Sequence, residues 1–111
     1  MQGSCHCGKI KFKTEGELIW LGRCHCTDCQ KISGTAFMAF AGFEKKNTEI
    51  TEGKPKEYKS SEHITRTFCE DCGSPIEWRD NREPDKTNFT LGLFEDTGDL
   101  KVTKDIWEEH K

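Results

Sequence analysis

The sequence predicts a mainly β domain with one short helix, held together more by cysteine–metal bonds than by a large apolar core. Three observations carry this reading. Apolar residues recur in short alternating runs, the apolar share of the chain is low, and seven cysteines fall in three tight groups.

The runs have strand period and strand length. Ile10 and Phe12 alternate with lysines, and Leu18, Trp20 and Gly22 form a second run. Residues 35–43, TAFMAFAGF, are a near-continuous apolar stretch. Tyr58, Ile64, Phe68, Ile76, Trp78, Phe89, Leu91, Leu93 and Val102 fall in further short runs, broken by turn residues at 80–84 and 96–99. These side chains are read as core. The one helix is placed over residues 28–33: Thr27 is an N-cap type, Gln30 three residues on completes a capping box, and Gly34 suits the left-handed position after the last turn.

With 111 residues the chain is read as a single domain, 1–111. Its apolar share is 32%, or about 41% with the ten glycines, against about 45–50% usually. A chain this small buries only roughly two-thirds of its unfolded surface, so the core needs reinforcement. The net charge is −3, with lysines and acids interspersed and no basic block, which speaks against a nucleic-acid partner. No stretch approaches the ~18 apolar residues of a membrane span. The chain opens at Met1 without a basic-then-apolar leader, and an odd cysteine count would strand one thiol in a disulfide scheme. The expectation is a soluble, cytoplasmic protein with reduced thiols. The oligomeric state is not legible.

The cysteines form a C-x-C (Cys5, Cys7), a C-x-C-x2-C (Cys24, Cys26, Cys29) and a C-x2-C (Cys69, Cys72). Zinc accepts thiolates tetrahedrally at about 2.3 Å, and short loops of this kind span two of its corners. Gly8 and Gly73 follow two of the groups directly, permitting tight turns that aim backbone N–H groups at sulfur. A closed structural site takes four ligands, whereas a catalytic zinc keeps three and leaves one position open. The triple can hold one ion alone. The two pairs, with residues 8–68 between them, would clip distant segments together around a second. A single four-cysteine site with three free thiols, an iron–sulfur cluster and disulfides are the alternatives. His6 and His25 lie between ligating cysteines, where an extended C-x-C points the middle side chain away; His25 is read as a pocket group rather than a ligand. His63 and His110 are read as surface residues, and Asp28 and Asp71 as solvent-facing loop positions.

Three segments, GSCHCGKIKF (3–12), CHCTDCQKISGTAF (24–37) and FCEDCGSPI (68–76), resemble the glutathione-dependent formaldehyde-activating enzyme family, which includes the centromere protein V type of domain. The resemblance runs from residue 3 to about 107. It implies a two-sheet zinc fold, the β-tent, with a structural zinc on Cys5, Cys7, Cys69 and Cys72 and a catalytic zinc on Cys24, Cys26 and Cys29. It also implies a carbon–sulfur lyase acting on a thiol–aldehyde adduct such as S-hydroxymethylglutathione. Family members commonly continue into a short aromatic tail, whereas this chain stops at Lys111, so an open pocket is expected.

An open position on a zinc held by three thiolates favours another sulfur, and a thiol bound there becomes a thiolate. The small thiol or its adduct is therefore the expected partner. Lys31 is expected to offset negative charge at the site, together with the helix start near Thr27, and Ser33 and Thr35 to orient an oxygen of the adduct. The reading from another class is a zinc-stabilised binding module without chemistry, its triple closed by a fourth protein ligand such as His25 or a distant acid.

Overall fold

The computed structural model describes residues 1–96 and 104–106. Strands β1 (Gln2–Ser4), β2 (Lys11–Thr14) and β5 (Thr48–Glu52) form a three-stranded antiparallel sheet in the order β1-β2-β5. A seven-stranded sheet follows the order β10-β3-β4-β9-β8-β7-β6. Its strands are β3 (Trp20–Cys24), β4 (Met38–Glu44), β6 (Lys56–Lys59), β7 (Ile64–Phe68), β8 (Pro75–Asp80), β9 (Lys86–Thr90) and β10 (Lys104–Ile106). Neighbours are antiparallel except β10, which pairs parallel to β3 with Ile106 opposite Cys24. One helix, α1 (Thr27–Ser33), lies between β3 and β4. Among the described residues no helix is long and apolar enough to cross a membrane.

Period-two alternation gives the large sheet two different faces. One carries Leu21, Ala41, Phe43 and Phe89, which join Ile10 and Phe12 of the small-sheet region in the main core. There Phe12 stacks on Phe89 with ring centroids 4.4 Å apart and meets Phe94 edge-on at 5.3 Å. The opposite face carries Trp20, Cys24, Met38, Phe40 and Trp78, a second, smaller cluster that includes Cys29 of α1. The three-cysteine group thus sits on the outer face of the large sheet.

A row of residues crosses that outer face in register: Trp20 opposite Gly42, Gly42 opposite Asn88, Asn88 opposite Trp78, Trp78 opposite Arg66, and Arg66 opposite Tyr58. Gly42 has a steric reason to be there. A Cβ at this position would stand 2.2 Å from the Trp20 indole and 2.8 Å from Asn88 Oδ1. The bare backbone lets the indole lie across β4 and donate from Nε1 to Asn88 Oδ1 at 2.7 Å, while Asn88 Nδ2 donates to the Trp78 carbonyl at 3.3 Å.

Several expectations meet corrections. The helix is capped by Cys26, not Thr27: Cys26 Sγ accepts the Cys29 N–H at 3.3 Å, and Thr27 is the first helical residue. Gln30 Nε2 donates to the His25 carbonyl at 2.9 Å. Gly34 does adopt the left-handed conformation, φ 72°, with its N–H on the Gln30 carbonyl. The apolar run at 35–43 becomes a strand only from Met38. Leu91 and Leu93 lie in a 3-10 turn, because the chain must bend out of the sheet for Phe94 to enter the core. Tyr58 is exposed on β6, which ends the sheet and has no layer beyond it. His63 lies at the surface, as read, bonded to Asn81 Oδ1 at 2.9 Å. Val102, His110 and the turn residues 97–99 lie outside the described residues.

Gly42→Ala tests the close approach over β4. The added methyl displaces the Trp20 indole and breaks its bond to Asn88. Overpacking of this kind costs about 1–3 kcal/mol. A lowered melting temperature together with altered tryptophan fluorescence is the expected result; a wild-type melt and spectrum would contradict the described packing.

Candidate metal centres

The first centre is built by two short turns that the fold brings together. Cys5 and Cys7 lie on the turn between β1 and β2, where the Gly8 N–H bonds the Cys5 carbonyl at 3.1 Å with Gly8 at φ 83°. Cys69 and Cys72 lie on the turn between β7 and β8, where the Gly73 N–H bonds the Cys69 carbonyl at 2.8 Å with Gly73 at φ 80°. The first turn closes over three residues and the second over four, and in both the glycine takes the positive φ that suits the close. All four Sγ atoms lie within 4.8 Å of one another. Cys5 and Cys7 are 3.6 Å apart, and Cys7 and Cys69 3.7 Å. Four sulfurs placed tetrahedrally at about 2.3 Å from an ion have edges of about 3.8 Å, so these spacings suit a thiolate-bound metal.

Ser74 joins the two turns. Its Oγ accepts the His6 N–H at 3.0 Å and lies 3.4 Å from Cys72 Sγ as acceptor of its proton. Its carbonyl accepts the Cys69 N–H at 2.9 Å. Lys9 pairs with Asp71 across the junction at 3.3 Å, both largely exposed. The sequence motif contains Ser74, but nothing in its spacing announces that it ties the partner turn.

The second centre is the triple. Cys24 ends β3, Cys26 caps α1, and Cys29 lies one turn into the helix. Their Sγ atoms lie within 4.8 Å of one another, with Cys24 and Cys29 buried and Cys26 half-buried. Among the described residues no histidine or carboxylate joins them in such a group. His25 is buried but turned toward Phe37, 5.4 Å between ring centroids. Asp28 is exposed. A charged group from a distant strand reaches the cluster: Arg66 of β7 places Nη2 3.6 Å from Cys29 Sγ. Sequence reasoning missed it, because the contact spans 37 positions and leaves no local signal.

Lys31, Ser33 and Thr35 follow along the helix and its exit. Lys31 is exposed. Ser33 Oγ donates to the Cys29 carbonyl at 2.8 Å, and Thr35 Oγ1 donates to the Phe37 carbonyl at 2.6 Å. A different donor borders the cluster: Trp78 Nε1 is buried and has no acceptor among the described residues. Trp78, Trp20 and Asn88 also line a cavity of about 370 Å³ on the same face of the sheet.

The thiols of each group divide their protons unequally. Burial opposes ionisation of Cys5, yet the Ile10 N–H at 3.3 Å and the neighbouring thiols hold it below the usual thiol range. Once Cys72 is ionised the Ser74 hydroxyl turns to donate to its sulfur, and with the Ser74 N–H this brings Cys72 down to about 5. At Cys7 the Lys9 N–H favours the thiolate, but desolvation and the Cys5, Cys69 and Cys72 thiols carry it up to about 12. In the triple, the hydrogen bond from Cys29 lowers Cys24. The same bond and burial raise Cys29, against the opposing charge of Arg66. Such groups retain shared protons that a metal would release on binding. All seven cysteines are free thiols.

Comparison with known proteins agrees with this architecture. The family described as glutathione-dependent formaldehyde-activating enzyme matches residues 1–110. A protein of Schizosaccharomyces pombe described as an uncharacterized lyase is 35% identical over 75 residues, covering 68% of this chain and 54% of the relative. The chain therefore spans about half the length of that curated relative. The crystal structure of a Rhodobacter sphaeroides protein superposes with a TM-score of 0.75 at 20% identity, over 92% of this chain and 97% of the other, and so shares the fold. With two cysteine centres on a two-sheet frame and a family match over nearly its whole length, the chain belongs to the glutathione-dependent formaldehyde-activating enzyme family.

Proposed function

We propose that the chain is a zinc-dependent carbon–sulfur lyase, joining and releasing a small thiol and a one-carbon aldehyde, with S-hydroxymethylglutathione as the type of adduct. The observation that carries this reading is the contrast between the centres: four thiols converge at one, three at the other, and no further described side chain completes the three. Cys5, Cys7, Cys69 and Cys72 would hold a structural zinc, and Cys24, Cys26 and Cys29 a catalytic one. Zinc held by three thiolates supplies a position that prefers sulfur and keeps a thiol ionised.

The chain's own groups do the rest. Cys24, Cys26 and Cys29 set the negative charge of the site, which Arg66 opposes from β7. Lys31 adds a screened charge from the exposed side of α1. Ser33 and Thr35 border the helix exit, and the orphan Trp78 N–H is a donor suited to the hydroxymethyl oxygen. In the lyase direction the carbon–sulfur bond of the adduct breaks, its electron pair stays on sulfur, and the hydroxyl proton leaves as the aldehyde forms. The reverse direction makes the same bond from thiolate and aldehyde. Seven free thiols suit a reducing, cytoplasmic setting.

Metal content tests the two-centre assignment. Protein prepared without chelator should carry two zinc ions per chain, one released more readily. Cys69→Ser should lower the melting temperature severely, while Cys26→Ser should keep the fold and lose the labile ion. One tightly held ion in the wild type, or equal unfolding of both variants, would contradict the division.

Thiol labelling reports on the first centre. After chelation Cys72, at about 5, is ionised at neutral pH, whereas Cys7, at about 12, is not. Iodoacetamide at pH 7 should therefore modify Cys72 ahead of Cys7. The preference should fade as pH falls through 5, and zinc should protect both. Mass spectrometry of the labelled peptides reads the order; Cys7 reacting first would overturn the described hydrogen bonding at Ser74.

Thiol binding tests the chemistry. Because the bound form is a thiolate and the free form a thiol, affinity should rise by up to about tenfold per pH unit until pH approaches the free thiol's pKa, near 8.5 for a cysteine-type thiol. Calorimetric titration of zinc-loaded protein with glutathione measures this, and Cys26→Ser should abolish it. Absence of zinc-dependent thiol binding at every pH would leave the metal-stabilised binding module as the better account.

A further inference from the structure

Arg66 engages a sulfur of the three-cysteine centre from another strand, while Arg23, next to Cys24, lies over the Phe37 ring at 5.3 Å. Arg79 pairs with Glu57 at 2.6 Å and Arg82 with Asp80 at 2.8 Å, both ordinary ion pairs near the surface. Arg66 has no carboxylate partner among the described residues. Its Nη2 points at Cys29 Sγ from 3.6 Å, and its Nε donates to Ser60 Oγ at 3.2 Å. It is half-buried and borders a cavity of about 140 Å³ shared with Ile32, Met38, Phe40 and Tyr58. A guanidinium partly removed from water is costly unless an anion faces it. Here the facing group is a thiol that becomes a thiolate when a metal is bound.

We propose that Arg66 is the fixed counter-charge of the three-cysteine centre, held in place by Ser60, and that it is what lets this centre accept a fourth, anionic sulfur ligand. The proposal rests on the zinc-thiolate reading of Cys24, Cys26 and Cys29. Three thiolates around a divalent ion leave one net negative charge, and a thiolate substrate makes it two. Each added charge weakens the next ligand unless a cation stands close by in a medium less polar than water. Lys31 is exposed and mobile by its side-chain chemistry, so solvent screens it. Arg66 is half-buried and rises from mid-strand, with Tyr58 opposite it on β6 and Trp78 on β8. Its planar fork can bond Ser60 and Cys29 at once, which a lysine cannot reproduce. Groups that hydrogen-bond a metal's ligands tune affinity by about 10–100-fold. Arg66 is thus a positioning residue: it touches the ligand Cys29 rather than the reacting carbon.

The test compares wild type, Arg66→Gln, Arg66→Lys and Ser60→Ala as zinc-loaded proteins. Three readouts are taken: zinc release to a chelator at each centre, the sulfur-to-metal charge-transfer bands after cobalt replacement, and calorimetric binding of 2-mercaptoethanol and glutathione. Arg66→Gln should weaken zinc at the labile centre by about tenfold or more, leave the tight centre and the melt unchanged, and shift the cobalt bands. Both thiols should lose affinity alike, since the counter-charge acts on sulfur. Arg66→Lys should recover part of the loss, and Ser60→Ala should show a smaller loss of the same sign. Loss confined to glutathione would mean that Arg66 reads a carboxylate, and would overturn the proposal. So would unaltered zinc release and thiol binding in Arg66→Gln, or equal defects in the glutamine and lysine variants. Should Arg66→Gln fail to fold, Ser60→Ala decides, because it loosens the guanidinium without removing it; wild-type behaviour there overturns the proposal. A wild type with a single ion, or one that binds no thiol, refutes the underlying zinc-thiolate reading, which is a different failure from two ions and thiol binding that ignore Arg66.

Discussion

The convergence of Cys5 and Cys7 with Cys69 and Cys72 is the constraint on which the rest of this fold depends. It joins turns that lie 62 positions apart where Cys7 meets Cys69, and Cys5 and Cys69 continue that junction into the main core beside Ile10 and Ile76. The turn between β1 and β2 belongs to the small sheet, and the turn between β7 and β8 to the large one. Pinning them together sets how the sheets lie, and therefore how Phe12 reaches Phe89. If the proposed zinc sits there, its apparent binding energy of about 10–16 kcal/mol is as large as the whole stability of a typical domain. A chain with a 32% apolar share has reason to rely on such a junction.

The second centre inherits its geometry from the first rather than standing on its own. Its three cysteines come from one short stretch, but their surroundings do not. Met38 and Phe40 arrive from β4, Trp78 from β8, and Arg66 from β7. Strand β7 runs directly into Cys69, three residues after Arg66. The same strand therefore ends in the clip and delivers a cation to Cys29. Rigidity at one centre is what makes the placement of charge at the other reproducible.

The cysteine pattern was legible because metal ligation demands short spacing, and short spacing survives in a linear sequence. The split into a four and a three, the glycines closing two turns, and the strand-rich character all follow from local information, and the structure agrees with each. What failed was also local in cause. Thr27 and Gln30 fit the capping pattern, but the Cys26 sulfur one residue earlier accepts the Cys29 N–H and takes the cap. Leu91 and Leu93 alternate like strand residues, yet the need to insert Phe94 into the core bends them into a turn. Arg66, Ser74 and the Trp20–Gly42–Asn88–Trp78 row were invisible for a different reason. Their roles exist only across strands, and strand order is not written in the spacing of any one segment.

A last step follows from the two kinds of charge handling. At the first centre the polar support is local: Ser74 serves both turns, and the N–H groups of Ile10, Lys9 and Ser74 face the sulfurs of Cys5, Cys7 and Cys72. At the triple the Cys26 N–H faces Cys24, the Cys29 N–H faces Cys26, and a guanidinium from another strand faces Cys29. On the proposed reading, a structural site has its charge met by its own turns, whereas a site that takes on and releases an extra negative ligand needs a cation that stays put through both states. The outer face of the large sheet supplies one from mid-strand, beside two cavities and a buried N–H donor. If the triple is the exchanging centre, that cross-strand cation, together with the count of cysteines, is what sets it apart from the clip.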